Sequence, residues 1–313
     1  MLLIVLNHTI YLGTEYATKL GVFSNTGLGY YILWIFQALG SFAVPIFLFI
    51  SGSFVAYAAR GEPPRLTRKF LQSGLIHILV PYLIWTIIFY LVLNLNRGEA
   101  YALTEYIQRL LVGNPFHFIP LLVFFYLISP ILVPLGKRFP WVLILVFLAY
   151  QIFLLNIKYP GTLGFSFPGW MNRLELPILG GTLADWGVCF PLGIVFSLNM
   201  PKIRPALEKL KWLFTGLAFL SFVIGLLDAR QLISAPFVRF IGPIVFLLVI
   251  PVIPRNSIPA VRRLEEVGKR SYGIYLTHLI VLDTVYTLIF SLVPASLKYT
   301  SILIPFVFVI GLL

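Results

Sequence analysis

Ionisable side chains inside apolar stretches mark candidate functional sites, because burying them in a membrane is costly. Four such residues stand out: His8, His117, His278 and Asp283. A neutral imidazole can take a proton from a hydroxyl near neutral pH, so His8, inside the first apolar run, is a candidate general base. A histidine that is hydrogen-bonded between helices is the alternative. Asn7 and Thr9 lie on other faces of a helix, so any partner that orients His8 must come from another span.

The other titratable candidates lie further along the chain. His278 and Asp283 are five residues apart, about 140° around a helix, so each is expected to have its own partner. His117 precedes an apolar run and either lines an outer entrance or belongs to the aromatic belt of the interface. No metal site is predicted, since the single cysteine, Cys189, excludes a CxxC motif and an internal disulfide.

Two further segments are candidates for a binding site. Pro45 and Gly52, with the small polar pair Ser51 and Ser53, predict a kinked, closely packed helix beside a cavity; packing alone is the alternative. The following loop contains Arg65, Arg68 and Lys69. If the next helix starts early, the two arginines share a face and can hold phosphates, although cytoplasmic loops are basic in any case.

The elements that position these residues are membrane helices. The chain has 313 residues, of which 59% are hydrophobic and 11% charged, with a mean hydropathy of +0.95. About a quarter of the residues in a soluble globular domain are charged, so this composition excludes a soluble domain. It also excludes a disordered chain. The net charge of +12 lies in short loops rather than in a patch, so membrane orientation explains it better than nucleic acid binding.

The fold class expected from these runs is an all-α, polytopic membrane protein of about ten transmembrane helices. The expected orientation is N-in and C-in, with both termini in the cytoplasm. In this orientation 15 of the 23 basic residues lie in the inner joints, the cytoplasmic connections 60–69, 136–140, 199–211 and 254–270. The first run would reach only about 18 Å and the last is as short, against about 30 Å of hydrocarbon, so both helices are expected to be truncated. The predicted spans are 1–12, 31–58, 71–93, 117–135, 141–157, 185–198, 212–227, 236–253, 271–292 and 301–313.

Together these pieces resemble the acyltransferase-3 family of integral membrane acyltransferases over nearly the whole chain, so 1–313 is expected to be one domain. The segments that carry the resemblance are His8, Phe49-Ile50-Ser51-Gly52, the run from Arg65 through Arg68 to Pro81-Tyr82-Leu83-Ile84-Trp85, the stretch from His117 to Tyr126 with Pro130, and Ser271-Tyr272-Gly273-Ile274-Tyr275-Leu276-Thr277-His278. In the family, an arginine ten intervening residues before the histidine completes a signature, and here it would precede Met1. Ile119 and Pro120 stand where a Trp-Phe pair is frequent in the family. In this respect the chain resembles more closely the branch that modifies exported polysaccharides.

The resemblance implies an O-acyltransferase of the bacterial cytoplasmic membrane that moves an acyl group, commonly acetyl, from acetyl-CoA to a hydroxyl of a cell-envelope sugar or lipid-linked glycan. His8 would be the base, and Ser51 or an imidazole would donate to the oxyanion. Arg65, Arg68 and Lys69 would bind the nucleotide phosphates of acyl-CoA, and His117 and His278 would contact the acceptor. An acyl-His8 intermediate is the other route. A glycan or lipid exporter without chemistry is the main rival, and a purely structural membrane partner is the third hypothesis.

Overall fold

The computed structural model describes residues 1–23, 26–59 and 61–312, without the side chains of Arg239 and Arg255, so Arg60 in the first inner joint and Leu313 in the last predicted span lie outside it. In the described part the chain is all-α and contains no β-strand, as predicted. The helices are α1 Leu2–Lys19, α2 Leu28–Leu39, α3 Ala43–Ala58, α4 Arg68–Arg97, α5 Leu103–Val112, α6 Phe118–Arg138, α7 Pro140–Lys158, α8 Gly180–Trp186, α9 Cys189–Leu198, α10 Met200–Ala229, α11 Val238–Val249, α12 Val261–Lys269, α13 Ser271–Leu292 and α14 Thr300–Ile310.

Six helical segments of the described chain are long and apolar enough to cross a membrane, or seven if α8 and α9, which are bent by 49°, form one broken span. They are Leu28–Ala58, which joins α2 and α3, together with α4, α6, α7, α10 and α13. The chain therefore has the character of a multi-pass membrane protein. The apolar helices Phe240–Val252 and Pro294–Ile310 are shorter than these candidate spans, so the count of ten transmembrane helices stays a prediction. The N-in, C-in orientation stays a prediction as well.

Helix α1 extends well beyond the apolar run that predicted it. The run ends at Leu12, whereas the helix continues to Lys19. Two of its polar pairs lie along the helix itself: the Thr14 hydroxyl donates to the Ile10 carbonyl at 2.9 Å, and Lys19 pairs with Glu15 at 2.6 Å. Apolar composition thus marked only part of this helix.

The chain divides into two compact units. The first comprises Met1–Ala43, Val80–Tyr106 and Arg255–Leu313. In it α1 packs against α13 and α14 around a buried cluster that includes Tyr16, Leu282 and Tyr286, and against α2 through Ile10 and Leu33. The Tyr286 hydroxyl donates to the Thr9 carbonyl at 2.9 Å, which ties α13 to α1.

The second unit comprises Val44–Leu79 and Ile107–Pro254. Here α6 packs against α7 and α9, and the rings of Phe125 and Phe190 stack at 4.8 Å. Gln151 of α7 is buried at the break between α8 and α9: its amide nitrogen donates to the Asp185 carbonyl at 3.1 Å and its oxygen accepts the Val188 N–H at 2.9 Å. One side chain therefore satisfies backbone groups that the broken helix leaves free. The single domain expected over 1–313 stays a prediction.

Candidate functional site

The first unit brings two of the predicted site residues together. His8 of α1 is half-buried, and its ring centroid lies 5.2 Å from that of His278 of α13, with the ring planes tilted by 52°. His278 is fully buried, at 0% exposure. The ring centroid of Tyr275 also lies 5.7 Å from that of His278. A partner for His8 from another span was expected, and α13 supplies this neighbour.

Hydrogen bonding fixes how the neutral His278 ring carries its proton. Nδ1 lies 2.7 Å from the Tyr275 carbonyl oxygen and 3.1 Å from that of Ile274. Carbonyl oxygens only accept, so Nδ1 bears the hydrogen and Nε2 keeps the lone pair. Nε2 is buried and has no hydrogen-bond partner among the described residues. The site therefore contains a buried, neutral acceptor beside the candidate base.

An ionic cluster forms between the same two helices and the end of α4. Arg97 donates through Nε to Asp283 Oδ1 at 2.7 Å, and its Nη2 also contacts that oxygen. Asn96 donates to Asp283 Oδ2 at 3.0 Å, and Arg97 Nη1 lies 3.3 Å from Glu15 Oε1. The expectation that His278 and Asp283 have separate partners is thus confirmed.

Arg97 and Glu15 were not singled out from the sequence. Arg97 follows a long apolar run and looked like a flanking charge, and Glu15 lies beyond the apolar part of α1. The available signal was Asp283 itself, since a carboxylate inside an apolar helix requires a cation. Which cation it takes depends on the packing of α4 against α13.

Ser51 belongs to the second unit and lies half-buried in α3. The predicted close packing of this helix is confirmed by its neighbour Gly52, where a Cβ atom would overlap the Phe190 carbonyl oxygen of α9. Likewise, a Cβ atom at Gly193 of α9 would overlap the Phe49 carbonyl oxygen of α3. The motif thus lets α3 and α9 touch through their backbones, and the oxyanion role of Ser51 stays a prediction.

Arg65, Arg68 and Lys69 are exposed and also belong to the second unit. The condition on which the two arginines were to share a helical face is not met, because α4 begins only at Arg68. The reason is local: the Thr67 hydroxyl accepts the Phe70 N–H at 3.2 Å, which caps the helix after Arg65. The three cations remain near one another in sequence, and their contact with phosphates stays a prediction.

His117 lies in the second unit directly before α6, with its side chain exposed. The following residue, Phe118, is buried and its ring packs 4.8 Å from Phe47. An exposed imidazole at the end of a membrane helix is available to a ligand or to the interface. Its predicted contact with an acceptor stays a prediction.

The fold and the site define a class: a multi-pass helical membrane protein with a histidine pair enclosed between two of its helices. A family model described as an acyltransferase domain, that of the acyltransferase-3 family, matches residues 1–313. The chain therefore belongs to the acyltransferase-3 family, as the sequence motifs indicated. Neither a curated protein nor a solved structure matches the chain.

Proposed function

We propose that this membrane acyltransferase is an O-acyltransferase, which moves an acyl group, most simply acetyl, from cytoplasmic acyl-CoA to a hydroxyl of a cell-surface or lipid-linked glycan. Membership of the acyltransferase-3 family supports acyl transfer. The observation that carries the catalytic assignment is the 5.2 Å approach of the His8 and His278 rings. His8 is the general base in this proposal.

The chemistry needs one base and one neutral partner. His8 removes the proton of the acceptor hydroxyl as its oxygen attacks the thioester carbonyl. The new C–O bond forms, the C–S bond breaks, and the proton passes to the CoA thiolate. In the reacting arrangement, His278 Nε2, which has no hydrogen-bond partner among the described residues, takes up the N–H of His8, and the other His8 nitrogen keeps the lone pair that the reaction requires. His278 is thus a positioning residue here rather than the acceptor contact suggested by the sequence.

The remaining roles follow the sequence-based assignments. Arg65, Arg68 and Lys69 hold the phosphates of acyl-CoA; they are exposed cations for which the described part of the chain shows no ion pair. His117 contacts the acceptor. Ser51 donates to the oxyanion that develops on the thioester oxygen.

Mass spectrometry of surface glycans and lipids from the source cell tests the proposal, with wild type, a deletion, His8→Ala and His77→Ala compared at the native locus. His77 is an exposed histidine of α4 whose Nδ1 bonds to the Ser73 carbonyl at 2.6 Å, so it controls for loss of an imidazole elsewhere in the membrane. We expect the deletion and His8→Ala to lose the same acyl ester while His77→Ala keeps it. Retained ester in His8→Ala would refute the base, and glycan that accumulates inside with its ester intact would favour an exporter.

The positioning role of His278 has its own test in membrane vesicles of the source cell supplied with radiolabelled acetyl-CoA. Replacing His278 by Leu removes the acceptor nitrogen, whereas Gln keeps an acceptor oxygen. We expect His278→Leu to lower kcat about 100-fold, within the usual range for a general-base contribution, with little change in KM for acetyl-CoA. Partial rescue by His278→Gln is expected, and equal activity of both variants and wild type would exclude the role.

A further inference from the structure

The second unit contains a cavity that no predicted role uses. Its volume is about 530 Å³, within the roughly 300–1,000 Å³ typical of small-molecule sites. It lies between the junction of α6 with α7, helices α9 and α10, and the end of α11. Apolar side chains form its wall, among them Phe49, Trp141, Ile144, Phe196, Leu207 and Leu247.

Three cations border this apolar space. Lys137 and Arg138 end α6, and Lys202 lies in the first turn of α10. All three are exposed, and within the described residues none of them is paired with a carboxylate. The Lys137 ammonium group donates to the Leu198 carbonyl at 3.2 Å, and the Arg138 guanidinium lies 5.0 Å from the Phe139 ring centre. The cavity therefore carries about three uncompensated positive charges at its edge.

The polar residue of the wall, Asn199, holds the two sides of the site together. Its amide nitrogen donates to the Gly136 carbonyl at 3.0 Å and to the Val195 carbonyl at 2.9 Å. Both donor hydrogens are thus used within the protein. The segment 136–140 and residues 199–211, which the structure places at the start of α10, meet at this point. The charge pattern predicts that both lie on one side of the membrane.

We propose that the cavity binds an anionic membrane lipid, with its phosphate among Lys137, Arg138 and Lys202 and an aliphatic chain in the apolar space. Basic pockets between transmembrane helices bind anionic headgroups, and each nearby cation contributes about fivefold to affinity. The wall disfavours a sugar or a pantetheine arm, because the hydroxyls and amides of those groups would lose water without gaining partners. A lipid matches both parts of the site and reaches it from the bilayer.

Native mass spectrometry of the full chain in detergent micelles measures this binding directly. The probes are dioleoyl phosphatidylglycerol and dioleoyl phosphatidylcholine, which share their chains and differ in net charge. We expect tighter binding of phosphatidylglycerol, weakened by added NaCl because salt screens the charges. The double variant Lys137→Gln and Lys202→Gln is expected to weaken phosphatidylglycerol binding about 25-fold, and phosphatidylcholine binding hardly at all.

The matched control removes the same amount of charge, here entirely from helix α10: Lys209→Gln with Lys211→Gln, two exposed lysines that do not line the cavity. A third variant, Ala206→Trp, fills the cavity and is expected to reduce binding of both lipids. Equal affinity for the two lipids, or equal losses in the two double variants, would overturn the proposal. So would displacement of the lipid by 10 mM inorganic phosphate or preferential binding of palmitoyl-CoA, which would assign the cations to a soluble anion or to the acyl donor.

Discussion

Breaking the buried pair between Arg97 and Asp283 is expected to cost far more stability than breaking an exposed pair of the same kind. The Asp283 side chain is 5% exposed and that of Arg97 18%. Two unit charges about 4 Å apart attract by about 4 kcal/mol at an effective dielectric constant of 20. Asp283→Asn removes that attraction and leaves Arg97 buried, which costs about 3–5 kcal/mol in known cases. Glu15 still contacts Arg97, so the lower end, about 3 kcal/mol, is expected here.

The assay is thermal unfolding of the detergent-solubilised chain, followed by size-exclusion chromatography of the fraction that remains folded. At about 2 °C per kcal/mol for a chain of this size, Asp283→Asn should lower the Tm by about 6 °C. The matched control is Glu208→Gln, which breaks the exposed pair of Arg204 and Glu208, 51% and 52% exposed, and should cost no more than about 0.5 kcal/mol.

A second variant separates charge from packing. Replacing Arg97 by Met together with Asp283 by Leu removes both charges, and buried pairs replaced in this way often lose nothing. The double variant should therefore recover most of the stability that Asp283→Asn loses. If Asp283→Asn falls within 0.5 kcal/mol of the Glu208→Gln control, or if the double variant is no better than the single one, the ion pair does not hold these helices together.

Three further substitutions have expected effects in the same unfolding assay. Gly52→Ala should cost about 1–3 kcal/mol, because its Cβ meets a backbone oxygen that no rotamer change can move, whereas Gly216→Ala in the open part of α10 should cost nothing; equal values would refute the close helix contact. Gln151→Leu should cost about 1–3 kcal/mol by leaving two backbone groups at the helix break without partners, and an unchanged Tm would mean that other groups satisfy them. Tyr286→Phe should cost about 1 kcal/mol through loss of its interhelical hydrogen bond, against no change for the exposed Tyr299→Phe.

The sequence predicted best those helices whose apolar runs end at charges or prolines. The predicted spans 141–157 and 271–292 correspond to Pro140–Lys158 and Ser271–Leu292. The predicted span 185–198 is instead a broken pair, with a bend of 49° between Gly180–Trp186 and Cys189–Leu198. Composition does not show this break, because it depends on Gln151, a distant residue that bonds to the freed backbone.

The candidate site was predicted as separate residues and not as a constellation. His8 and His278 could each be identified from the cost of a polar group in an apolar helix. Their approach to 5.2 Å depends on which helices are neighbours, a long-range property that hydropathy does not encode. Arg65 and Arg68 do not share a helical face, and the reason is local: the Thr67 cap makes α4 begin after Arg65.

The ionic cluster and the histidine pair share α1 and α13, so the cluster also bears on the catalysis proposed for that pair. Glu15 is seven residues from His8 and so lies on nearly the same face of α1, about 10 Å along the axis. On α13, Asp283 points about 140° away from His278, yet both are buried, because one contacts Arg97 of α4 and the other lies beside His8 of α1. Contacts on two sides fix the rotation of α13 about its axis. Since a rotation of α13 would move His278 away from His8, Asp283→Asn should lower acyl transfer as well as stability, whereas Glu208→Gln should change neither.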